Sequence, residues 1–118
     1  MKLAVVGGRT FKDYSRLKIM LDMLIDGFGF TTIVSGGAIG ADSLGDRYAN
    51  ERGLKKIIHL PNYDLHGRAA PIIRNRDIIK DCDYVLACWD NTSRGTANAI
   101  KLADEYKKEV LILHYNDL

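Results

Sequence analysis

The stretch Leu3-Ala4-Val5-Val6-Gly7-Gly8-Arg9-Thr10-Phe11 governs the reading of the whole chain. Four apolar residues run without a polar interruption into a glycine pair and then into polar residues. An uninterrupted run suits a strand buried on both faces, as in a parallel sheet covered by helices. Four further runs of this kind follow, at Thr32–Ser35, Lys56–His59, Tyr84–Cys88 and Val110–Leu113. Their starts, counted from Leu3, lie 29, 24, 28 and 26 residues apart. Intervals of that size fit a strand, a loop, a helix and a return.

The intervening stretches carry helical periodicity. Tyr14, Leu17, Leu21, Leu24 and Phe28 share one face of the first, with Gly27 and Gly29 marking its end. Leu44, Tyr48 and Ala49 do the same before Gly53, and Ala99, Leu102, Ala103 and Tyr106 form a later stripe. The third interval reads as irregular loop from Pro61 to Pro71, then a helix from about Ile72 to Lys80. Right-handed crossovers then predict a Rossmann-like three-layer α/β sandwich. Its five-stranded parallel sheet has the expected order 3-2-1-4-5, in one domain over residues 1–118.

Composition narrows the functional classes. The chain has 118 residues, 47% hydrophobic and 27% charged, the balance of an ordinary soluble globular protein. Lys and Arg number 17 against 15 Asp and Glu, a net charge of +2 that does not by itself indicate nucleic acid. The longest apolar run, Tyr84 to Trp89, is far too short to span a membrane. Met1 to Arg9 has no long apolar stretch, so neither a secretory signal nor an extracellular location is expected, and the setting is read as cytoplasmic. Cys82 and Cys88 are too few for a disulfide scaffold and are read as buried thiols, on one face if a single strand holds both. His59, His66 and His114 are scattered without ligand spacing, so neither a metal site nor a cofactor is expected.

In a doubly wound sheet, ligands sit outside the C-terminal ends of the strands. Three of those ends carry glycine and small polar residues leading into a helix. They are Gly7-Gly8-Arg9-Thr10-Phe11, Ser35-Gly36-Gly37-Ala38-Ile39-Gly40-Ala41-Asp42, and Trp89-Asp90-Asn91-Thr92-Ser93-Arg94-Gly95-Thr96. Such loops let backbone N–H groups at a helix N-terminus approach a phosphate. A single glycine turn is ordinary turn chemistry; three on one sheet edge point to a ligand crevice. Neither a Walker-type G-x-x-x-x-G-K-[ST] nor a G-x-G-x-x-G is present, which disfavours ATPase and ordinary dinucleotide readings.

The candidate ligand residues are therefore Gly8, Arg9, Thr10, Ser35, Gly36, Gly37, Gly40, Asp42, Arg74, Asn75, Trp89, Asp90, Ser93, Gly95 and Thr96. Arg9, Arg74, Arg76 and Arg94 are near the expected crevice, where arginine forms forked bonds to phosphate. Asp42 is either a first-turn helix residue or an acceptor for a ribose hydroxyl, and Asp90 either caps a turn or accepts from a sugar. Trp89 and Tyr63 are candidates for stacking on a base, against a plainer role at the core rim.

Taken together, Gly8-Arg9-Thr10-Phe11, Val34-Ser35-Gly36-Gly37-Ala38-x-Gly40-Ala41-Asp42, Gly67 with Arg74-Asn75, and Trp89-Asp90-x-x-Ser93-x-Gly95-Thr96 resemble the YspA-like, YpsA-related branch of the SLOG superfamily. That superfamily also contains the LOG phosphoribohydrolases and DNA-processing protein A. The resemblance covers Leu3 to about Leu113 and implies a Rossmann-like fold whose glycine loops hold nucleotides, nucleotide-derived signals or nucleic acid. LOG enzymes carry Pro-Gly-Gly-x-Gly-Thr-x-x-Glu, whose glutamate serves in N-glycosidic cleavage. Gly95-Thr96 match its Gly-Thr, but Ala99 stands at the glutamate position and Thr92-Ser93 replace the paired glycines.

The leading expectation is a small cytoplasmic protein that binds a nucleotide or a nucleotide-derived phosphate ligand, as sensor or sequestering agent. A LOG-like N-glycosidase is the alternative; it needs a substitute carboxylate, for which Asp42 and Asp90 are the only candidates, so the enzyme reading is disfavoured. Single-stranded DNA binding is the second alternative. Ile19, Met20, Leu21, Met23, Leu24 and Ile25 cover too much of their helix for one buried face, which predicts self-association as a homodimer or higher homo-oligomer.

Overall fold

The computed structural model describes residues 1–116. Along the chain run β1 (Lys2–Gly7), α1 (Tyr14–Phe28), β2 (Thr32–Ser35), α2 (Ala41–Arg52), β3 (Lys55–Ile58), α3 (Tyr63–His66), α4 (Ala70–Lys80), β4 (Tyr84–Trp89), α5 (Arg94–Glu105) and β5 (Glu109–His114). The strands form one sheet in the order β3-β2-β1-β4-β5, and every neighbouring pair is parallel. Both the class and the order are those expected from the apolar runs and their spacing.

Each strand of the central pair has a burial pattern that explains its composition. Leu3, Ala4 and Val5 of β1, and Val85 through Cys88 of β4, are fully buried because helices cover both faces. On one face Leu3, Val5, Ile33 and Leu86 pack against Leu17, Leu21, Leu24 and Ile25 of α1 and Tyr48 and Ala49 of α2. On the other, Ala4, Val6, Val34, Val85 and Ala87 pack against Ile78 and Ile79 of α4 and Ala99 and Ala103 of α5. Among the described residues no helix is long and apolar enough to cross a membrane.

Local signals close the helices. Asp13 accepts the Arg16 N–H at the start of α1, and Gly29 ends that helix in the left-handed region with its N–H on the Ile25 carbonyl. The third interval departs from expectation. Pro61 to Pro71 is largely helical rather than irregular: Asn62 accepts the Leu65 N–H to open α3, and a 3₁₀ turn over Gly67–Ala69 leads directly into α4. α4 starts at Ala70, not Ile72, with Pro71 in its first turn. A proline there lacks only an N–H that the helix would leave unpaired in any case.

Two other expectations need adjusting. Cys82 lies in the turn before β4, its thiol donating to the Ile79 carbonyl, while Cys88 is inside β4; both are buried and free, and no strand holds the pair. On α1 the surplus apolar residues split: Leu21, Leu24 and Ile25 are buried, whereas Ile19 and Met23 face solvent.

α2 crosses β1 at close range because position 45 has no side chain. A Cβ at Gly45 would lie 2.8 Å from the Val5 Cβ, and Val5 is itself fully buried. Replacing Gly45 by valine is therefore expected to lower stability by roughly 1–3 kcal/mol through overpacking. An unchanged denaturant midpoint in the folded variant would contradict this account of the helix–strand contact.

Candidate functional site

The glycine-bearing loops after β1, β2 and β4 meet at the C-terminal edge of the sheet. Between them lies a crevice of about 250 Å³, lined by Val6, Gly7, Arg9, Ala38, Asp42, Pro71, Arg74, Asn75, Ser93, Gly95, Thr96 and Ala99. Seven residues expected from the sequence are thus brought together: Arg9, Asp42, Arg74, Asn75, Ser93, Gly95 and Thr96. The structure adds Val6, Gly7, Ala38, Pro71 and Ala99. Gly7 and Ala38 belong to two of the glycine-bearing loops, and Ala99 is the residue at the position of the LOG glutamate; Pro71 had a cue only as a helix-start proline, and Val6 as the last apolar residue of its strand.

The first amides of the loop after β2 are taken up by its own side chains. The Gly36 N–H donates to Asp42 Oδ2 at 2.7 Å, and the Gly37 N–H is directed to Ser35 Oγ at 3.4 Å. Ser35 in turn donates to Asp46 at 2.8 Å. From the opposite side, Arg74 Nη1 donates to the Gly36 carbonyl at 2.7 Å. Gly36, Gly37, Ser35 and Asp42 thus build a braced wall. Gly40 locks that wall to the first loop: its φ is +84°, and an added Cβ would collide with the Gly8 carbonyl and lie 2.7 Å from Arg9 Cα. The Gly8 carbonyl also accepts the Ala41 N–H at 3.2 Å.

Three other sequence candidates are placed elsewhere. The Gly8 N–H is engaged by the Cys88 carbonyl at 3.0 Å, and Thr10 Oγ1 bonds the Tyr115 hydroxyl at 3.0 Å, in a separate hollow lined also by Phe11, Lys12 and Arg16. Trp89 turns away from the crevice. It lines a larger, open groove of about 710 Å³ along α5 and β5, and its indole N–H donates to the Ser93 carbonyl. That groove runs along a helix flank, with lysines and acids interspersed (Lys101, Asp104, Lys107, Lys108 and Glu109). It does not lie at the strand ends, where the helix N-termini converge.

Asp90 shapes the third loop instead of facing a ligand. Its Oδ1 accepts the N–H groups of Thr92 at 2.9 Å and Ser93 at 2.7 Å, which hold its carboxyl below the ordinary range. The start of α5 then faces the crevice with no side-chain cap, Ser93 Oγ instead accepting from Thr96 Oγ1. First-turn amides in that state carry the positive end of the helix dipole. Asn75 ties α4 to this turn through the Gly95 carbonyl at 3.4 Å and Asn98 at 3.2 Å, while accepting from Arg74 Nε. Neither Arg9 nor Arg74 is in an ion pair among the described residues. The arrangement is chemically suited to an anion.

With this geometry in view, similarity to known proteins becomes informative. Residues 1–66 match the YspA, cpYpsA-related SLOG family. The chain belongs to that family. It is 26% identical over 123 residues to the Gene 61 protein of Mycobacterium phage D29, covering 98% of this chain and 97% of the phage protein. DNA processing protein A from Helicobacter pylori, solved for its single-stranded DNA binding mode, has a TM-score of 0.76 at 24% identity, over 99% of this chain and 67% of that one. The molybdenum cofactor binding protein of Rippkaea orientalis gives 0.72 at 22%, over 94% and 74%. These two share the fold of this SLOG chain.

Asp42 is the one buried carboxyl in the crevice. Burial pushes its pKa up to about 6, against the Gly36 N–H and Arg74, which draw it down, while Asp46 adds to the rise. Its native pKa thus exceeds its unfolded value, so its stabilising proton linkage is complete below about pH 4 and disappears as pH rises through about 6. Asp42→Asn removes that contribution. The difference in stability between the parent and this variant is expected to change between pH 4 and 6 and to level off above pH 7. A pH-independent difference, measured by denaturant titration, would contradict the assignment.

Proposed function

We propose that this SLOG protein binds a nucleotide or nucleotide-derived phosphate ligand in the crevice, with the phosphate at the uncapped start of α5. The observation that carries the reading is the convergence of that helix end with the Arg9 and Arg74 side chains in one concave site. Arg9 and the amides at Gly95 and Thr96 hold the anion. Asp42 and Asn75 keep the walls in place, one bracing the β2 loop and the other joining α4 to α5.

Binding without turnover fits the residues better than hydrolysis. Ala99 lines the wall where the related phosphoribohydrolases carry their glutamate, and the Asp90 oxygen is engaged by two backbone amides. Asp42 Oδ2 is taken by the Gly36 N–H, so its carboxyl is engaged in bracing the β2 loop. AMP is therefore expected to be recovered intact after incubation, and released adenine on chromatography would promote the enzyme reading. The likeness to DNA processing protein A favours single-stranded DNA as the second reading. Its sign would be oligonucleotide binding with a steep loss of affinity as salt rises.

Gly95 offers a direct test, because a Cβ there meets nothing within 4 Å and its φ is not in the left-handed region. Gly95→Leu extends a side chain from the crevice wall and removes a glycine from a helix, so stability holds or increases. AMP affinity in calorimetry is expected to fall by more than about tenfold, and Arg9→Ala should lower it by a similar factor through loss of a charge-assisted bond. Undiminished AMP binding in folded Gly95→Leu would rule out this site. Self-association of the cytoplasmic protein through the exposed α1 face, at Ile19 and Met23, belongs to the same proposal. A monomeric mass in light scattering at every concentration would exclude it.

A further inference from the structure

A cavity suited to an anion contains a carboxyl group. Asp42 lines the same crevice of about 250 Å³ as Arg9 and Arg74, from the first turn of α2, and is only 5% exposed. In so small and poorly hydrated a space, an ionised carboxylate and a bound anion repel strongly. Where two acids share a site, one of them is driven to its neutral form.

The groups facing Asp42 come from every element packed around it. From the β2 loop, the Gly36 N–H donates to Oδ2 at 2.7 Å, and the Ala38 backbone also favours the ionised form. Arg74 of α4 is the cation that offsets the Asp42 charge, and Asp46, one turn along α2, opposes it. Lys56 of β3 acts on Asp46. β4 contributes the Cys88 thiol, which burial keeps protonated, and Arg16 of α1 acts on that thiol. The first loop adds Arg9, and the crevice residues of α5 and its cap are the uncharged Ser93, Gly95, Thr96 and Ala99. Among the described residues no histidine lines the crevice. An anion at the start of α5 thus competes for the guanidinium that now offsets Asp42.

We infer that the crevice takes up its anion together with one proton, which comes from solvent and leaves Asp42 as the neutral acid in the complex. The inference rests on the reading of the crevice as an anion site and adds what becomes of the one carboxylate inside it. In balance, carboxylate, proton and free anion give an acid–anion complex, and no bond of the ligand is made or broken. As an acid, Asp42 keeps the Gly36 N–H on Oδ2 and gains an O–H donor in place of a repelling charge. Burial already lifts this carboxyl to about 6, so the remaining step falls near neutral pH. The anion is therefore held more tightly as pH falls, and its affinity levels off once Asp42 is protonated in the free protein as well.

Inorganic sulfate is the probe, because it stays dianionic between pH 5 and 8, whereas a phosphate monoester itself gains a proton near pH 6. Calorimetry is expected to find sulfate bound about tenfold more tightly at pH 5 than at pH 8, the effect of one neighbouring charge on a carboxyl. At pH 7, buffers of different ionisation heat should register proton uptake on binding. Asp42→Asn, whose amide accepts the Gly36 N–H and donates in place of the acid, should bind sulfate at pH 8 as tightly as the parent does at pH 5. Equal affinity of the parent at both pH values overturns the coupling while sparing the anion site. So does a pH dependence that Asp42→Asn retains. If that variant does not fold, carbon-13 NMR of the parent decides: the Asp42 carboxyl midpoint must rise when sulfate is added, and an unmoved midpoint overturns the coupling. Absence of sulfate binding even at pH 5 removes the anion reading, and the coupling with it.

Discussion

The Gly36 backbone is held from both sides, through its N–H and its carbonyl, and the shape of the crevice depends on it. Asp42 takes its N–H from the first turn of α2, and Arg74 gives a guanidinium proton to its carbonyl from α4. The backbone of one residue therefore couples two helices on opposite faces of the sheet to the end of β2. The absence of a side chain is essential to the contact: a Cβ at position 36 would lie 2.8 Å from Arg74 Cζ and 2.9 Å from Asp42 Oδ2. Burying a carboxyl is costly unless it is hydrogen-bonded, and this one obtains its bond from the loop it organises.

That brace divides work among three loops that look alike in sequence. In the loop after β2 the Gly36 and Gly37 N–H groups are taken by Asp42 and Ser35, and the first loop is pinned by Cys88 and Ala41. The loop after β4 leads into a helix start that faces the cavity without a side-chain cap; α2 also lacks one at Gly40, but there the Ala41 N–H is taken by the Gly8 carbonyl. Electrostatics follow from this difference. Two arginines and one helix dipole supply positive potential, while the single buried carboxyl in the cavity shifts toward its neutral form.

The sheet was legible because parallel strands buried on both faces leave long apolar runs, as at Leu3–Val6 and Tyr84–Cys88. The loops were legible as glycine-rich strand ends, but glycine content does not reveal which amides remain available. Gly36 and Gly95 read alike as residues; one is filled by Asp42 and Arg74, and the other borders open space. Trp89 had the composition of a stacking residue, yet the last position of a strand allows its side chain to leave on either face, and it packs toward α5 and β5. The helical content of Pro61 to Pro71 was hidden because α3 spans a single turn with no buried residue, so it leaves no periodic apolar trace.

The two outer strands bear on how the molecule behaves when crowded. β3 begins with Lys55 and Lys56, and β5 begins at Glu109 directly after Lys107 and Lys108. Because all five strands are parallel, these lysines mark the same pole of the sheet at both of its margins. Two copies approaching margin to margin in the same orientation bring lysine against lysine before any ladder can form. Unpaired strand edges are templates for fibrous stacking, and charge at the margin is a common protection against it. The pole that needs this protection is the one opposite the crevice, so colloidal solubility and ligand recognition draw on separate residues.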